Sequence, residues 1–233
     1  MAAEPEDPPP SSILHPRPLL LAGPTAVGKS DIAVLLAERL GGEIISVDSM
    51  QVYRDLDIGT AKPSHEERAR VPHHLIDVVD LTEPFDAAQF IGLAHHAVAD
   101  IQGRGRLPVL CGGTGLYFKA FLEGLGHAPP ANAALRAALE ATPLPDLLRE
   151  LVESDPVTYE RIDRQNPRRV IRAIEVIRLT GQPFSSQRAN WQHATRNTQH
   201  ATNCIGLARS SADSRQRIDA RVDAMFQIGR AHV

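Results

Sequence analysis

Cysteine and aromatic residues are both scarce in this chain of 233 residues. The two cysteines, Cys111 and Cys204, lie far apart, and neither has a second pair or a histidine at the spacing of a metal-ligand set. A disulfide framework and a structural zinc site are therefore not expected, and the composition fits a reducing cytoplasm. Aromatic residues make up 4% of the chain, which disfavours binding of single-stranded nucleic acid by base stacking.

Long apolar runs and a strong net charge are also missing. The longest strongly apolar stretch, Leu19–Ala22, is far too short to cross a bilayer, so no membrane role is expected. The net charge is −3 at pH 7, so any contact with nucleic acid has to come from local clusters of arginine. With 42% hydrophobic residues, the chain can bury one substantial core, and a folded protein is expected.

The two ends of the sequence differ in composition from the rest of the chain. Residues 1–16 are acidic and rich in proline, without the basic and apolar segments of a signal peptide, and are predicted to form a disordered tail. Residues 228–233 read IGRAHV, which is the translation of a common sequencing adapter. We therefore expect this hexapeptide to be non-native and to follow a truncated gene.

Apolar strands alternate with amphipathic helices over residues 17–124, the predicted core domain. The predicted elements are strands over 18–22, in GGEIISVDSMQVY with its end at Asp48, in VPHHLIDVVD and at the start of RLPVLCGGTGLY, which then enters a glycine turn and a new helix. Two further helices are predicted over 30–40 and 86–104. This alternation is typical of an α/β fold with a parallel sheet flanked by helices, in which ligands bind at the carboxyl ends of the strands. The loops predicted to converge at that edge follow Ala22, Val47 and Leu110.

The pattern of predicted elements changes after Gly124. Residues 125–190 hold short amphipathic helices separated by prolines, which predicts a helical insertion, or lid, and not a continuation of the sheet. Residues 191–227 are predicted to return to the core through a strand at Cys204 and a helix that carries Arg221, leaving the core incomplete.

The loop between the first strand and the first helix reads GPTAVGKS, the G-x-x-x-x-G-K-S phosphate-binding pattern, or P-loop. Its glycines let backbone N–H groups curl around a phosphate at a helix N-terminus, Lys29 reaches the outer phosphate, and Ser30 can ligate Mg²⁺. The residues predicted to bind a di- or triphosphate are Gly23, Pro24, Thr25, Ala26, Val27, Gly28, Lys29 and Ser30. The pattern does not say which phosphate compound is bound.

Asp48 ends an apolar strand, and three roles are open to it. It could be a second Mg²⁺ ligand, a base acting on the group that receives the transferred moiety, or a helix N-cap. The later strand ends in LPVLCGGTG, with glycine where the usual NTPases place the carboxylate that positions magnesium. This difference weakens the ATPase and GTPase interpretations.

Five blocks of sequence, taken in order, resemble the tRNA dimethylallyltransferase family, also called the tRNA isopentenyltransferase family, over residues 17–227. The blocks are GPTAVGKS, ISVDSMQVYRDLDIGTAKP, PHHLIDVVD, GGTGLYFKAFLEGL and NPRRVIRAIEVIRLTGQP. The resemblance implies a P-loop kinase-like core with a small helical insertion domain. It also implies a C-terminally truncated sequence, because members of the family continue beyond MFQ into further helices.

The resemblance implies an enzyme that transfers a dimethylallyl group from dimethylallyl diphosphate to N6 of adenosine 37 in tRNA, releasing diphosphate. On this basis residues 23–30 hold the diphosphate with Mg²⁺ near Ser30, and Thr114 and Arg221 lie close to the oxygen that leaves. Asp48 accepts the proton of N6, which favours the base role over the other two.

The same resemblance implies contacts with tRNA, whose anticodon loop would present the target base by flipping it into the cleft. The residues implied are Asp48, Ser49, Met50, Gln51, Thr114, Arg136, Arg168, Arg169 and Arg172. From the residues alone, the arginines of NPRRVIR can also form a solvated helix face paired with Glu175 or Asp163, and this alternative stays open.

Other functions also stay open at this point. A small-molecule P-loop kinase would use Asp48 to orient a hydroxyl acceptor, and an adenylate isopentenyltransferase would use free AMP, ADP or ATP as acceptor. A non-catalytic RNA-binding module would keep its function without Asp48.

Other residues are expected to have structural roles. His73 and His74 are expected to point to opposite faces of a strand, and Cys111 is expected to be a buried, inert thiol. The protein is expected to act as a monomer.

Overall fold

The computed structural model describes residues 16–188 and 203–231. Residues 1–15 of the tail predicted over 1–16, the end of the predicted helical insertion, the start of the predicted return to the core and the last two residues of the sequence lie outside these ranges. The chain divides into two compact units, one made of Met1–Leu122 with Arg196–Val233 and the other of Glu123–Thr195. We call them the core unit and the helical unit.

The core unit contains a five-stranded sheet with the strand order β3-β2-β4-β1-β5. Every strand pairing in it is parallel. The strands are β1 (Leu19–Ala22), β2 (Gly42–Val47), β3 (His73–His74), β4 (Leu107–Gly112) and β5 (Asn203–Gly206). The predicted fold class, an α/β fold with a parallel sheet flanked by helices, is confirmed.

The helices begin and end at the expected kinds of residue. In the core unit they are α1 (Lys29–Leu40), α2 (His65–Arg70), α3 (Ala87–Gly103), α4 (Gly115–Glu123) and α10 (Ser211–Ala231). The helical unit contains α5 (Ala133–Glu140), α6 (Leu144–Ser154), α7 (Pro156–Arg161), α8 (Pro167–Thr180) and α9 (Phe184–Gln187). A capping box between Asp86 and Gln89 starts α3, and Gly41, at φ 64°, ends α1.

Both faces of the sheet are covered by apolar side chains. Leu20, Ile45 and Leu110 belong to a buried cluster that includes residues of α3 and α4. Leu19, Leu21 and Val109 belong to a second cluster, with residues of α1. Alternate residues of each strand thus enter opposite layers, which explains why the strands read as continuous apolar runs.

The strand register aligns the carboxyl ends of the sheet. Ala22 at the end of β1 and Val47 at the end of β2 both pair with Gly112 at the end of β4. Gly206, which ends β5, pairs with Ala22 on the other side. The loops that follow these strands therefore start side by side.

The strand predicted in VPHHLIDVVD is mostly wrong. Only His73–His74 forms a strand, followed by an isolated bridge between Tyr53 and Val79. Leu75 and Asp77 have φ values of 62° and 58°, and this left-handed backbone cannot continue a strand. The two histidine rings have different partners, a backbone carbonyl and a carboxylate, as expected for structural roles.

The helical unit has a core of its own. Its buried residues come from α5, α6 and α8: Leu139, Leu147, Leu151, Val170, Ile171, Ala173 and Ile174. Across the described ranges, none of the helices combines the length and the apolar character needed to cross a membrane.

A buried carboxylate links two segments of the helical unit. Asp155 is 1% exposed and accepts hydrogen bonds from the N–H and hydroxyl of Thr158, at 3.0 and 2.6 Å, and from the N–H and hydroxyl of Ser185, at 2.7 and 2.9 Å. Burial by itself raises the pKa of Asp155, but these hydrogen bonds outweigh it, so the pKa is lowered below the ordinary 3.8. The charged form is therefore the stable one in the folded protein.

We predict that Asp155→Ala lowers the free energy of unfolding by about 2–4 kcal/mol, because several buried donors lose their acceptor. The stabilisation by Asp155 is complete above its ordinary pKa of 3.8 and is lost as the pH falls towards the lowered pKa of the folded state. Urea denaturation at neutral and acidic pH measures both effects. Asp163→Ala, at a half-exposed carboxylate, is the control, and equal losses in the two variants would contradict the prediction.

Candidate active site

The phosphate-binding loop takes a left-handed turn before α1. Ala26 has a φ of 62° and Gly28 a φ of 94°, a conformation that aims neighbouring N–H groups towards one point. Gly28 caps α1, which begins at Lys29, without a side-chain acceptor. The N–H groups of the first helical turn are therefore available to an anion at the positive end of the helix.

Lys29, at the end of this loop, bonds back to its start and supplies a positive charge. Its Nζ donates a hydrogen bond to the Pro24 carbonyl at 2.7 Å. Burial is the main cause of a lowered pKa of Lys29, to which the charge of Arg221 adds, while Cys111 and Asp48 oppose it. Arg221 of α10 and Asp48 after β2 are thus both within electrostatic range of the loop.

The two other predicted loops are joined by hydrogen bonds. The N–H of Ser49 donates to Thr114 Oγ1 at 3.3 Å, and the N–H of Thr114 donates to the Val47 carbonyl at 3.3 Å. A Cβ added at Gly113 would lie 3.9 Å from Lys29 Nζ. The predicted convergence of the three loops is confirmed, and it brings Asp48, Thr114 and the phosphate-binding loop to one edge.

The carboxylate of Asp48 is oriented by the turn that follows it. Its Oδ1 accepts hydrogen bonds from the N–H groups of Met50 at 2.8 Å and Gln51 at 3.3 Å. Within residues 16–188 and 203–231, its Oδ2 accepts no hydrogen bond. The helix N-cap role is wrong, since a turn follows and the next helix begins only at His65. The turn therefore holds one carboxylate oxygen of Asp48 in place.

One residue that sequence reasoning missed also supports the phosphate-binding loop. Arg209 donates from Nε to the Val27 carbonyl at 3.1 Å and pairs with Asp213 at 2.7 Å. It lies shortly after β5, at the same edge as the other loops. A cationic residue directly after a predicted strand was the signal that could have identified it.

The thiol of Cys111 lies beside this site at the end of β4. It is 9% exposed, and burial raises its pKa to about 12. Such a thiol stays protonated at neutral pH, which supports the prediction that it is unreactive.

Two of the predicted tRNA-contacting arginines bind a buried glutamate in the helical unit. The side chain of Glu175 is 0% exposed and accepts hydrogen bonds from the Asn132 N–H at 2.9 Å, from Arg136 at 2.7 Å and from Arg172 at 2.6 Å. Arg172 also donates to the Pro129 carbonyl at 2.6 Å. Arg136 and Arg172 thus neutralise a core carboxylate and hold the segment before α5 to α8.

The other two arginines of NPRRVIR are exposed. Arg169 lies 4.0 Å from Asp163, at the limit of an ion pair, and has half of its side chain or more in solvent. The alternative of pairing with Glu175 is confirmed for Arg172, and the alternative of pairing with Asp163 is met by Arg169 at the limit of an ion pair. Arg168 and Arg169 are both exposed. Contact of any of them with tRNA stays a prediction.

We predict that Glu175→Ala lowers the free energy of unfolding by about 3 kcal/mol, because two cations and a backbone N–H lose their shared buried acceptor. Chemical denaturation followed by circular dichroism measures the loss. Glu140→Ala, an exposed carboxylate on α5, should change stability by about 0.5 kcal/mol or less. A Glu175→Ala variant as stable as the Glu140→Ala variant would show that the cluster contributes little.

A parallel sheet with a P-loop sequence at its carboxyl edge is typical of α/β proteins of the P-loop class. The family described as "IPP transferase" matches residues 51–232. The tRNA dimethylallyltransferase of Anaeromyxobacter dehalogenans (strain 2CP-C) is 48% identical over 91% of this chain and 72% of its own length. That of Halorhodospira halophila is 50% identical over 91% of this chain and 69% of its own length.

This chain is also similar to solved structures of tRNA-modifying transferases. The tRNA isopentenylpyrophosphate transferase of Bacillus halodurans is 42% identical, with a TM-score of 0.60, over 91% of this chain and 67% of that chain. A eukaryotic dimethylallyltransferase acting on tRNA is 29% identical, with a TM-score of 0.77, over 93% of this chain and 54% of that chain.

The chain belongs to the tRNA dimethylallyltransferase family, and it is a transferase. The resemblance found in the sequence and the predicted function class are confirmed. The chain spans about 70% of the length of these curated relatives.

Proposed function

We propose that this chain transfers a dimethylallyl group from dimethylallyl diphosphate to N6 of adenosine 37 in the anticodon loop of tRNA, with Asp48 as the base. The observation that carries the assignment of roles is the link between two loops. Ser49, next to Asp48, bonds Thr114, and Lys29 of the phosphate-binding loop lies within electrostatic range of Asp48. The two loops to which we assign phosphate binding and proton acceptance thus share one edge of the sheet.

The phosphate-binding loop suits a leaving diphosphate. An allylic diphosphate loses its diphosphate readily once donors stabilise the developing negative charge, so no strong acid is required. The N–H groups at the start of α1 and the Lys29 ammonium supply such donors, and we assign residues 23–30 to them. Arg221, whose charge reaches Lys29, and Thr114 would stabilise the oxygen that leaves carbon.

Mg²⁺ fits this set of donors. Among the described residues, no group of three histidine, cysteine or carboxylate side chains could hold a metal by itself. Mg²⁺ in proteins commonly keeps several waters and binds substrate phosphates with one or two protein oxygens. The Ser30 hydroxyl at the start of α1 would supply such an oxygen, and the ion would neutralise charge on the diphosphate.

Asp48 would act on the acceptor. As the N6 nitrogen bonds to the allylic carbon, the carbon–oxygen bond to diphosphate breaks and a proton leaves N6. The exocyclic amine of adenine is a poor nucleophile, so a positioned carboxylate that takes this proton helps most at this step. The Asp48 carboxylate, whose Oδ1 the turn holds in place, suits that task.

An assay with three substrate pairs tests the proposal. The chain is incubated with Mg²⁺ and labelled dimethylallyl diphosphate plus unmodified tRNA, with the same donor plus AMP, or with labelled ATP plus tRNA. Nucleoside analysis should find label in N6-substituted adenosine with the first pair. Label in AMP alone would indicate an adenylate isopentenyltransferase. Consumption of ATP while dimethylallyl diphosphate is ignored would indicate a kinase.

We predict that Asp48→Ala lowers the rate of transfer by about 100-fold or more, because N6 loses its proton acceptor. The affinity for tRNA should stay largely unchanged, since one carboxylate contributes little to binding a polyanion. Single-turnover rates and filter binding measure the two quantities. Glu66→Ala, at an exposed carboxylate of α2, is the control. An Asp48→Ala variant that retains transfer would exclude Asp48 as the base.

We also propose that tRNA phosphates contact Arg168 and Arg169, and that Arg136 and Arg172 support the helical unit that presents them. The exposure of the first pair and the hydrogen bonds of the second to Glu175 support this division. Met50, Gln51 and Ser49, in the turn after Asp48, would contact the acceptor nucleotide. The monomeric state and the cytoplasmic location stay predictions.

We predict that Arg168→Ala and Arg169→Ala each weaken tRNA binding and reduce the slope of log affinity against log salt by about one, as expected for one lost phosphate contact. Binding titrations at several salt concentrations measure the slope. Arg149→Ala is the matched control, because Arg149 is also exposed in the helical unit, with 74% of its side chain in solvent. An equal effect of all three variants would indicate a non-specific charge effect.

A further inference from the structure

The segment DIGTAKP contains a lysine that is buried in a loop. The side chain of Lys62 is 3% exposed, and its Nζ donates to the Tyr53 carbonyl at 2.6 Å, to Asp57 at 2.7 Å and to Asp77 at 2.5 Å. All three ammonium hydrogens therefore have acceptors. The second oxygen of Asp77 accepts from Arg68 at 2.8 Å.

The charges of this cluster stabilise one another. Burial lowers the pKa of Lys62, but the hydrogen bonds to Asp57 and Asp77 outweigh burial, so its pKa is raised above 10.5. Burial likewise raises the pKa of Asp77, and the bonds to Lys62 and Arg68 outweigh it, so that pKa is lowered. The cluster is an ion-pair network at neutral pH.

The same loop holds Gln51. Its Nε2 donates to the carbonyls of Thr60 at 3.2 Å and Ala61 at 3.1 Å, just before Lys62, and its Oε1 accepts from the Ser46 hydroxyl on β2 at 2.8 Å. Its carbonyl accepts from the Asp77 N–H at 3.2 Å. Both ends of the side chain and the backbone of Gln51 are thus fixed by strand β2 and by the lysine network.

This arrangement keeps strained backbone in place. Ala61, which precedes Lys62, and Asp77, which bonds it, have φ values of 47° and 58°. Residues other than glycine persist in the left-handed region only where surrounding contacts hold them. The Lys62 ammonium bonds the Asp77 side chain, and Gln51 bonds the Ala61 carbonyl, so the network supplies such contacts.

We propose that Lys62 is a positioning residue for the transfer reaction, which orients the Asp48 carboxylate through Gln51. The N–H groups of Met50 and Gln51 fix Oδ1 of Asp48, and the loop that Lys62 closes fixes Gln51. The inference rests on the proposed function only in that Asp48 is the base. Lys62 has no hydrogen bond with residues 23–30.

Replacement of the lysine separates positioning from binding. In Lys62→Met, kcat for tRNA should fall about tenfold or more, because small displacements of a catalytic group cost large factors in rate. The KM for dimethylallyl diphosphate should stay within about twofold, because the loop that binds phosphate is untouched. Lys62→Arg keeps the charge and should retain more of kcat than Lys62→Met. Arg70→Met is the matched control, because Arg70 pairs with Glu38 at the surface, and it should leave both constants unchanged.

Hydrogen exchange gives a readout that does not depend on activity. In Lys62→Met, amide exchange in a peptide covering residues 48–52 should accelerate, while exchange in residues 23–30 stays as in the wild type. Unchanged kcat and exchange, or equal changes in both peptides and in both kinetic constants, would overturn the positioning role. A wild-type protein that forms no modified adenosine would instead refute the proposed function, and the exchange data would still test the link from Lys62 to the Asp48 turn.

Discussion

The in-register ends of three parallel strands are the constraint on which the site depends. Val47 and Ala22 both pair with Gly112, so the loops after β1, β2 and β4 leave the sheet at one level. A Cβ at Gly112 would overlap the backbone of Val47, which means that only glycine permits this approach. The phosphate-binding loop, Asp48 and Thr114 can meet because the strands end together.

In each of the two units, cationic side chains of the same type have different partners. In the core unit, the hydrogen bond that Lys29 makes within the described residues goes to a backbone carbonyl, whereas all three donors of Lys62 have acceptors in its own chain. In the helical unit, Arg172 binds buried Glu175 while Arg168 is exposed. Side chains of the same residue type are thus either engaged by carboxylates of this chain, as Lys62 and Arg172 are, or exposed, as Arg168 is.

Within the core unit, the helices and strands were predicted well from the sequence except in the segment between β2 and α3. The helix predicted over 86–104 is found at Ala87–Gly103, because its capping box and apolar periodicity are local signals. The strand predicted in VPHHLIDVVD shrinks to His73–His74, because Leu75 and Asp77 adopt left-handed backbone that contacts with distant residues impose. Propensity favours a strand there, and the tertiary hydrogen bonds of Asp77 override it.

The sequence alone determined the α/β fold, the phosphate-binding loop and the family, because these depend on local periodicity and on blocks of contiguous residues. Tertiary structure decided that Thr114 bonds the turn after Asp48, that Glu175 neutralises Arg136, and that Arg209 supports the phosphate-binding loop. Each of these depends on pairs of residues that folding brings together, and neither spacing nor composition records which polar groups share a buried environment.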